Sequence, residues 1–116
     1  TNFKVKGKNF VQKKQILKDA LAISNSGVFA IIIECVVENL ARKITKSVSI
    51  PTIGIGASRH CDGQILVTED MLGLSDFSPK FVKQYTNLNK IMEKSIKNYV
   101  KDVKMRRFPS FKNVYK

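Results

Sequence analysis

Two short apolar runs with a helical pattern between them leave few folds open to this chain. Residues 28–33 (VFAIII) are apolar without alternation, and residues 51–56 (PTIGIG) are a second β-rich run that ends in glycine. An unbroken apolar run bounded by turn signals is typical of a strand covered on both faces. Between the runs, an apolar face at helical spacing predicts a helix over residues 37–48. A strand, a helix and a strand in this order form a βαβ unit with parallel strands.

Predicted elements on either side of this unit continue the alternating order of strands and helices. Residues 3–6 could be a short strand, and Asn9 with Gln12 three residues later is a capping box that predicts the start of a helix, which Ser26 and Gly27 end. Ser78 and Pro79 predict the start of a long C-terminal helix. The pattern indicates an α/β architecture. Since so few parallel strands leave apolar faces uncovered, and the chain begins with Thr1, we expect part of a larger α/β fold.

Charge and length restrict the function classes. The chain has 116 residues, which allows one domain, and a net charge of +12. Residues 80–116 hold 11 basic and 2 acidic side chains, a net of +9. A basic segment can bind nucleic acid or an anionic membrane. However, most of these residues are Lys, and neither an RNA-binding motif nor a helix-turn-helix pattern is present. A solvated helix face is the simpler interpretation, so we expect no nucleic acid and no membrane as partner.

The expected compartment follows from the same residues. No apolar run approaches the roughly 20 residues of a membrane span, and no signal peptide is visible. Two cysteines, Cys35 and Cys61, do not make a disulfide framework. A reducing compartment, the cytoplasm, is therefore predicted.

Glu34 is the strongest candidate for chemistry. It directly follows the first apolar run, at the carboxyl end of a predicted parallel strand, where α/β folds collect their active sites. A carboxylate beside six apolar residues is poorly solvated, and poor solvation makes it a stronger base. The alternative is a structural carboxylate that caps the next helix or pairs with Arg42.

Three further features are weaker candidates. The sequence GIGAS at residues 54–58 could let a ligand approach the backbone, although a tight turn is the commoner explanation. His60, Cys61 and Asp62 are possible metal ligands, but adjacent residues rarely bind one ion together. Cys35 could be a nucleophile, yet no histidine lies near it, and a small buried side chain is the simpler interpretation.

These residues resemble a known family. The segments IIIECV (31–36), LARKIT (40–45), SIPTIGIGA (49–57) and CDGQILV (61–67) are similar in type and order to ketopantoate hydroxymethyltransferases. The resemblance extends to about Pro109. It implies that residues 1–109 are the C-terminal portion of one (β/α)8 TIM barrel of the phosphoenolpyruvate mutase type, with a long C-terminal helix, and that residues 110–116 are a basic tail.

The resemblance also implies a reaction. The family moves a hydroxymethyl group from 5,10-methylenetetrahydrofolate to 3-methyl-2-oxobutanoate, giving 2-dehydropantoate for pantothenate synthesis. It uses Mg²⁺ and is usually a decamer. The family's proton acceptor matches Glu34. Its metal ligands match no position here, so no metal-binding residue is expected in this chain, and the chain alone should be inactive.

Three departures from the family pattern are visible. Ser58 stands where a glycine is usual and would disfavour a positive φ; Val37 replaces a common proline; Glu69 stands where a histidine is frequent. An alternative function also stays open: a catalytically inactive barrel fragment that acts as an assembly or interaction module.

Overall fold

The computed structural model describes residues 4–76 and 78–115, which divide into two compact units. The first unit holds residues 4–67 and 79–82, and the second holds the remaining described residues. The first contains α1 (Phe10–Ser24), β1 (Ile31–Glu34), α2 (Glu38–Ser47), β2 (Thr52–Ile55) and β3 (Gly63–Gln64). The second contains α3 (Thr68–Leu72), α4 (Leu88–Lys104) and a short 3₁₀ turn, Phe111–Asn113.

The described strands of the first unit form one parallel sheet in the order β1-β2-β3. The βαβ prediction is confirmed, since β1 and β2 pair in parallel and α2 connects them. In the register of this pair, Glu34 lies opposite Ile55. Of the predicted strand at residues 3–6, Phe3 lies outside the described residues, and Lys6 forms a parallel bridge with Val36.

The core lies on one face of the sheet, under α1 and α2. Ile31 and Ile33 of β1 are buried there against Leu40, Ala41 and Ile44 of α2. These three α2 residues occupy the apolar face that the sequence predicted. Burying apolar side chains of this size is the main source of stability for the unit, at about 1.5–3 kcal/mol for each fully buried one.

The opposite face of β1 is open in this chain. Burial alternates along the strand, and Ile32 keeps 59% of its surface exposed. The expectation of a strand covered on both faces is therefore wrong for β1 here, because the described residues place helices on one face alone. The strand also begins later than the apolar run, at Ile31, and Phe29 is 90% exposed.

α1 begins where the sequence indicates, with a different hydrogen-bond arrangement. The Asn9 side chain accepts a bond from the backbone N–H of Gln12 (2.8 Å), as an N-cap should. The Gln12 side chain accepts from the N–H of Gly7 (3.2 Å) instead of turning back to Asn9. The helix is thereby tied to the segment that precedes it.

α4 begins at Leu88, later than predicted. The cap is Asn87, whose side chain accepts from the N–H of Lys90 (3.0 Å). Ser78 and Pro79 precede a turn, and Phe81, which belongs to the first unit, packs against Gly56 of the same unit. None of the α4 residues is buried within the described chain. Across residues 4–76 and 78–115, no helix combines the length and apolarity that a membrane crossing requires.

Candidate active site

Glu34 lies at the carboxyl edge of the sheet. It is the last residue of β1, beside Ile55, the last residue of β2. It shares the open face with Ile32, since the two are exposed while Ile31 and Ile33 face the helices. The side chain is thus on the side of the sheet away from α1 and α2. In parallel α/β folds the carboxyl edge is where substrates bind.

The structural alternatives for Glu34 find no support in the described residues. Its carboxylate forms neither an ion pair with Arg42 nor a side-chain hydrogen bond there. The N-cap of α2 is Val37, which has no side-chain capping bond. Glu34 is exposed, so the expected poor solvation is wrong for this chain. The carboxylate is free to meet a ligand.

Cys35 follows Glu34 and is not a suitable nucleophile. Its side chain is buried, and burial, with a smaller contribution from the charge of Glu34, raises the pKa of the thiol. A thiol with a raised pKa stays protonated near neutral pH, whereas the nucleophile is the thiolate. The interpretation as a small buried side chain is the better one.

Gly54 in β2 and Gly56 in the loop after it make room for protein side chains. Gly56 has a φ of +60°, and a Cβ there would lie 2.6 Å from the ring of Phe81. A Cβ at Gly54 would lie 3.1 Å from the Cys61 Sγ. The space that a ligand would need is filled, so the tight-turn interpretation of this motif fits the structure.

Ser58 ties this loop to the beginning of α2. It is 3% exposed, and its hydroxyl donates to the Glu38 Oε1 (3.0 Å) and accepts from the N–H of His60 (3.1 Å). The Nε2 of His60 lies 3.9 Å from the same Glu38 oxygen. Ser58 is not among the described residues with a positive φ, in agreement with the expectation that a serine disfavours that conformation here. Sequence reasoning missed Glu38, whose acidic side chain in the first turn of a predicted helix was the available signal.

Asp62 acts at the other end of β2. Its carboxylate accepts hydrogen bonds from the backbone N–H (2.8 Å) and the hydroxyl (3.0 Å) of Thr52, the first residue of the strand. These bonds hold the pKa of Asp62 below its ordinary value, the backbone bond most strongly. Asp62 is therefore a structural anchor at the edge of the sheet away from Glu34.

The three adjacent candidates His60, Cys61 and Asp62 do not converge. His60 faces Glu38, Cys61 is buried in the core, and Asp62 binds Thr52. In the part of the chain that the structure describes, no group of three or more His, Cys, Asp or Glu side chains could hold a metal ion.

The comparisons with known proteins agree with the resemblance. The sequence model of the family described as "Ketopantoate hydroxymethyltransferase" matches residues 1–111. A relative from Bartonella henselae is 56% identical over 98% of this chain and 42% of its own length. A relative from Pelagibacter ubique is 49% identical over 99% of this chain and 45% of its own length. A relative from Clostridium beijerinckii is 51% identical over 98% of this chain and 42% of its own length.

All three relatives are named 3-methyl-2-oxobutanoate hydroxymethyltransferase. The chain spans less than half the length of these relatives. The matched stretch nevertheless includes the whole described sheet and both of its covering helices. The chain therefore belongs to the ketopantoate hydroxymethyltransferase family.

Proposed function

We propose that the protein carrying this chain transfers a hydroxymethyl group from 5,10-methylenetetrahydrofolate to 3-methyl-2-oxobutanoate, giving 2-dehydropantoate. The observation that carries the proposal is the position of Glu34, at the carboxyl edge and on the open face of a parallel sheet. Family membership supplies the reaction class. A free carboxylate at this edge is the group that a proton abstraction next to a carbonyl requires.

Glu34 is the proton acceptor in this proposal. Its carboxylate takes the proton from C3 of the keto acid, and the carbon that loses the proton forms the new bond to the one-carbon unit. The C3–H bond is replaced by a C3–CH₂OH group, the hydroxyl oxygen comes from water, and tetrahydrofolate leaves. Nothing in the described environment of Glu34 competes for its oxygens, because no ion pair or side-chain hydrogen bond holds them there.

The open face of the sheet fits the interior of a (β/α)8 barrel. Both helices that pack on the sheet lie on the same side of it, and the strands are parallel and adjacent in chain order. In a barrel this arrangement places the helices outside and the opposite face inside. Ile32, Ile53 and Ile55 share that face with Glu34. Side chains from further strands would cover them in the complete barrel.

Magnesium does not fit this chain by itself. The described residues offer no cluster of three or more His, Cys, Asp or Glu side chains that could hold the ion. Binding of Mg²⁺ by residues outside the matched stretch, a decameric assembly and a cytoplasmic location are implied by the resemblance or the composition and stay predictions.

The test is Glu34→Gln in the protein that the complete gene encodes. We expect kcat to fall by at least about 100-fold, the lower range for loss of a general base, while circular dichroism shows a retained fold. Glu69→Gln, which alters an exposed carboxylate of α3, is the matched control and should keep its activity. Near-normal turnover in a folded Glu34→Gln protein would remove Glu34 from the mechanism.

A second candidate function is an inactive assembly module. It is favoured by the exposed apolar side chains of α4, among them Ile96 and Tyr99. The coding DNA upstream of Thr1 separates the two candidates. An open reading frame that encodes the rest of the barrel supports the enzyme, and a start codon directly upstream supports the module.

A further inference from the structure

The alternation of β1 ends at Cys35. Ile32 and Glu34 face the open side, and Ile33 faces the helices, as a regular strand requires. Continued alternation would bury Cys35 and return Val36 to the open side, but Cys35 and Val36 are both buried. The chain therefore turns at Cys35, and Glu34 is the last side chain of β1 on the open face.

A left-handed backbone conformation makes this turn. Cys35 has a φ of +51° and is one of two non-glycine residues with positive φ in the described chain. Residues with a Cβ rarely adopt this backbone conformation, and it persists only where the surrounding structure holds it in place.

Hydrogen bonds from both sides hold Cys35. Its N–H donates to the carbonyl of Ile55 on β2 (3.0 Å), and its carbonyl accepts from the N–H of Lys6 (2.8 Å). The segment that follows Cys35 is fixed as well, since the N–H of Val37 donates to the carbonyl of Lys6 (3.0 Å). The two peptides that flank Cys35 are thus each anchored to a neighbouring segment, the one before it to β2 and the one after it to Lys6.

The geometry points to Cys35 as a positioning residue for Glu34: its left-handed turn, anchored between Ile55 and Lys6, sets the direction in which the Glu34 carboxylate leaves the sheet. This inference rests on the proposed role of Glu34 as proton acceptor. The thiol takes no part, because it is buried with the core side chains. What the position requires is the backbone conformation, together with a side chain small enough to stay buried.

The experiment varies the backbone preference at residue 35 in the protein that the complete gene encodes. Glycine adopts a positive φ without strain, whereas a β-branched residue resists it. The readout is the exchange of the C3 proton of 3-methyl-2-oxobutanoate for deuterium, followed by NMR, with kcat and KM of the full reaction. This exchange reports the base without requiring the folate.

We expect Cys35→Val to slow exchange at saturating substrate by at least about tenfold, with KM changed less than about threefold, because a small displacement of a base is costly. Cys35→Gly should stay within about threefold of the unaltered protein. Cys61→Val is the matched control: it places the same bulk at another buried cysteine with an ordinary φ. It should leave the exchange rate of the folded protein within about threefold.

Every result of this experiment either supports or overturns the positioning role of Cys35. Equal loss in Cys35→Gly and Cys35→Val, or no loss in Cys35→Val, overturns the inference. If Cys35→Val does not fold, Cys35→Gly still decides, since a tenfold loss refutes the conformational role and retained exchange supports it. Glu34→Gln distinguishes a failure of this inference from a failure of the proposed function. Exchange at the unaltered rate in that variant means that the proposed function itself fails.

Discussion

Gly56 is a position where a single added methyl group should have a large and calculable effect on the stability of this fold. Its φ of +60° is one that alanine adopts at a cost of roughly 1–2 kcal/mol. The new Cβ would also lie 2.6 Å from one ring carbon of Phe81 and 2.8 Å from another. Relieving such an overlap in a packed site costs about 1–3 kcal/mol. Gly56→Ala should therefore lower the free energy of unfolding by about 2–5 kcal/mol.

Two other glycines separate the cost of the positive φ from the cost of the overlap with the Phe81 ring. Gly27 has a φ of +90° with no atom within 4 Å of its Cβ position, so Gly27→Ala should show the conformational cost alone, about 1–2 kcal/mol. Gly63 has no positive φ and an ordinary 3.7 Å contact, so Gly63→Ala should stay within about 0.5 kcal/mol. The comparison tests whether the ring of Phe81 lies where the structure places it.

Urea denaturation gives the free energy from the midpoint and the slope of each variant. The expected order of destabilisation is Gly56→Ala, then Gly27→Ala, then Gly63→Ala. If Gly56→Ala is no more destabilising than Gly27→Ala at unchanged slope, the ring does not resist the methyl group, and the packing argument for the loop after β2 is refuted.

Two more predictions concern Asp62 and Asn87. The pKa of Asp62 is lowered in the fold, so the stabilisation from its carboxylate is present above the ordinary value, near 3.9, and is lost as the pH falls through the lowered folded value. Titration of the carboxyl carbon by NMR should show the low pKa in the native protein and a higher one in Thr52→Val, which loses one donor; an unchanged pKa would contradict this. Asn87→Ala should cost about 1 kcal/mol through loss of the α4 cap, whereas Asn98→Ala, inside the same helix, should cost nothing measurable by urea denaturation, and equal effects would refute the capping role.

Local patterns predicted the elements that depend on neighbouring residues. The apolar face of α2 predicted which of its side chains are buried, because helical spacing alone places Leu40, Ala41 and Ile44 on one side. Asn9 predicted the beginning of α1 for the same local reason. Ser78 and Pro79 failed as a helix start: the chain turns at residues 80 and 81, and the Phe81 ring packs against Gly56, which is distant in sequence.

In the candidate site, too, local patterns predicted some features, and contacts between distant residues decided others. Its position in the sequence, directly after an apolar strand, was sufficient to select Glu34, and the family motifs agreed. The Ser58–Glu38 bond, the anchoring role of Asp62 and the left-handed turn at Cys35 could not be predicted, because each joins segments that meet through the fold alone.

The amino-acid sequence by itself determined the order α1, β1, α2 and β2, the family and the choice of Glu34, because apolar periodicity and motif spacing are properties of the chain. The tertiary structure decided which face of the sheet is open, which glycines serve packing, and how the backbone turns after Glu34. These features depend on contacts between distant residues, and no local pattern encodes the distance at which two such residues meet.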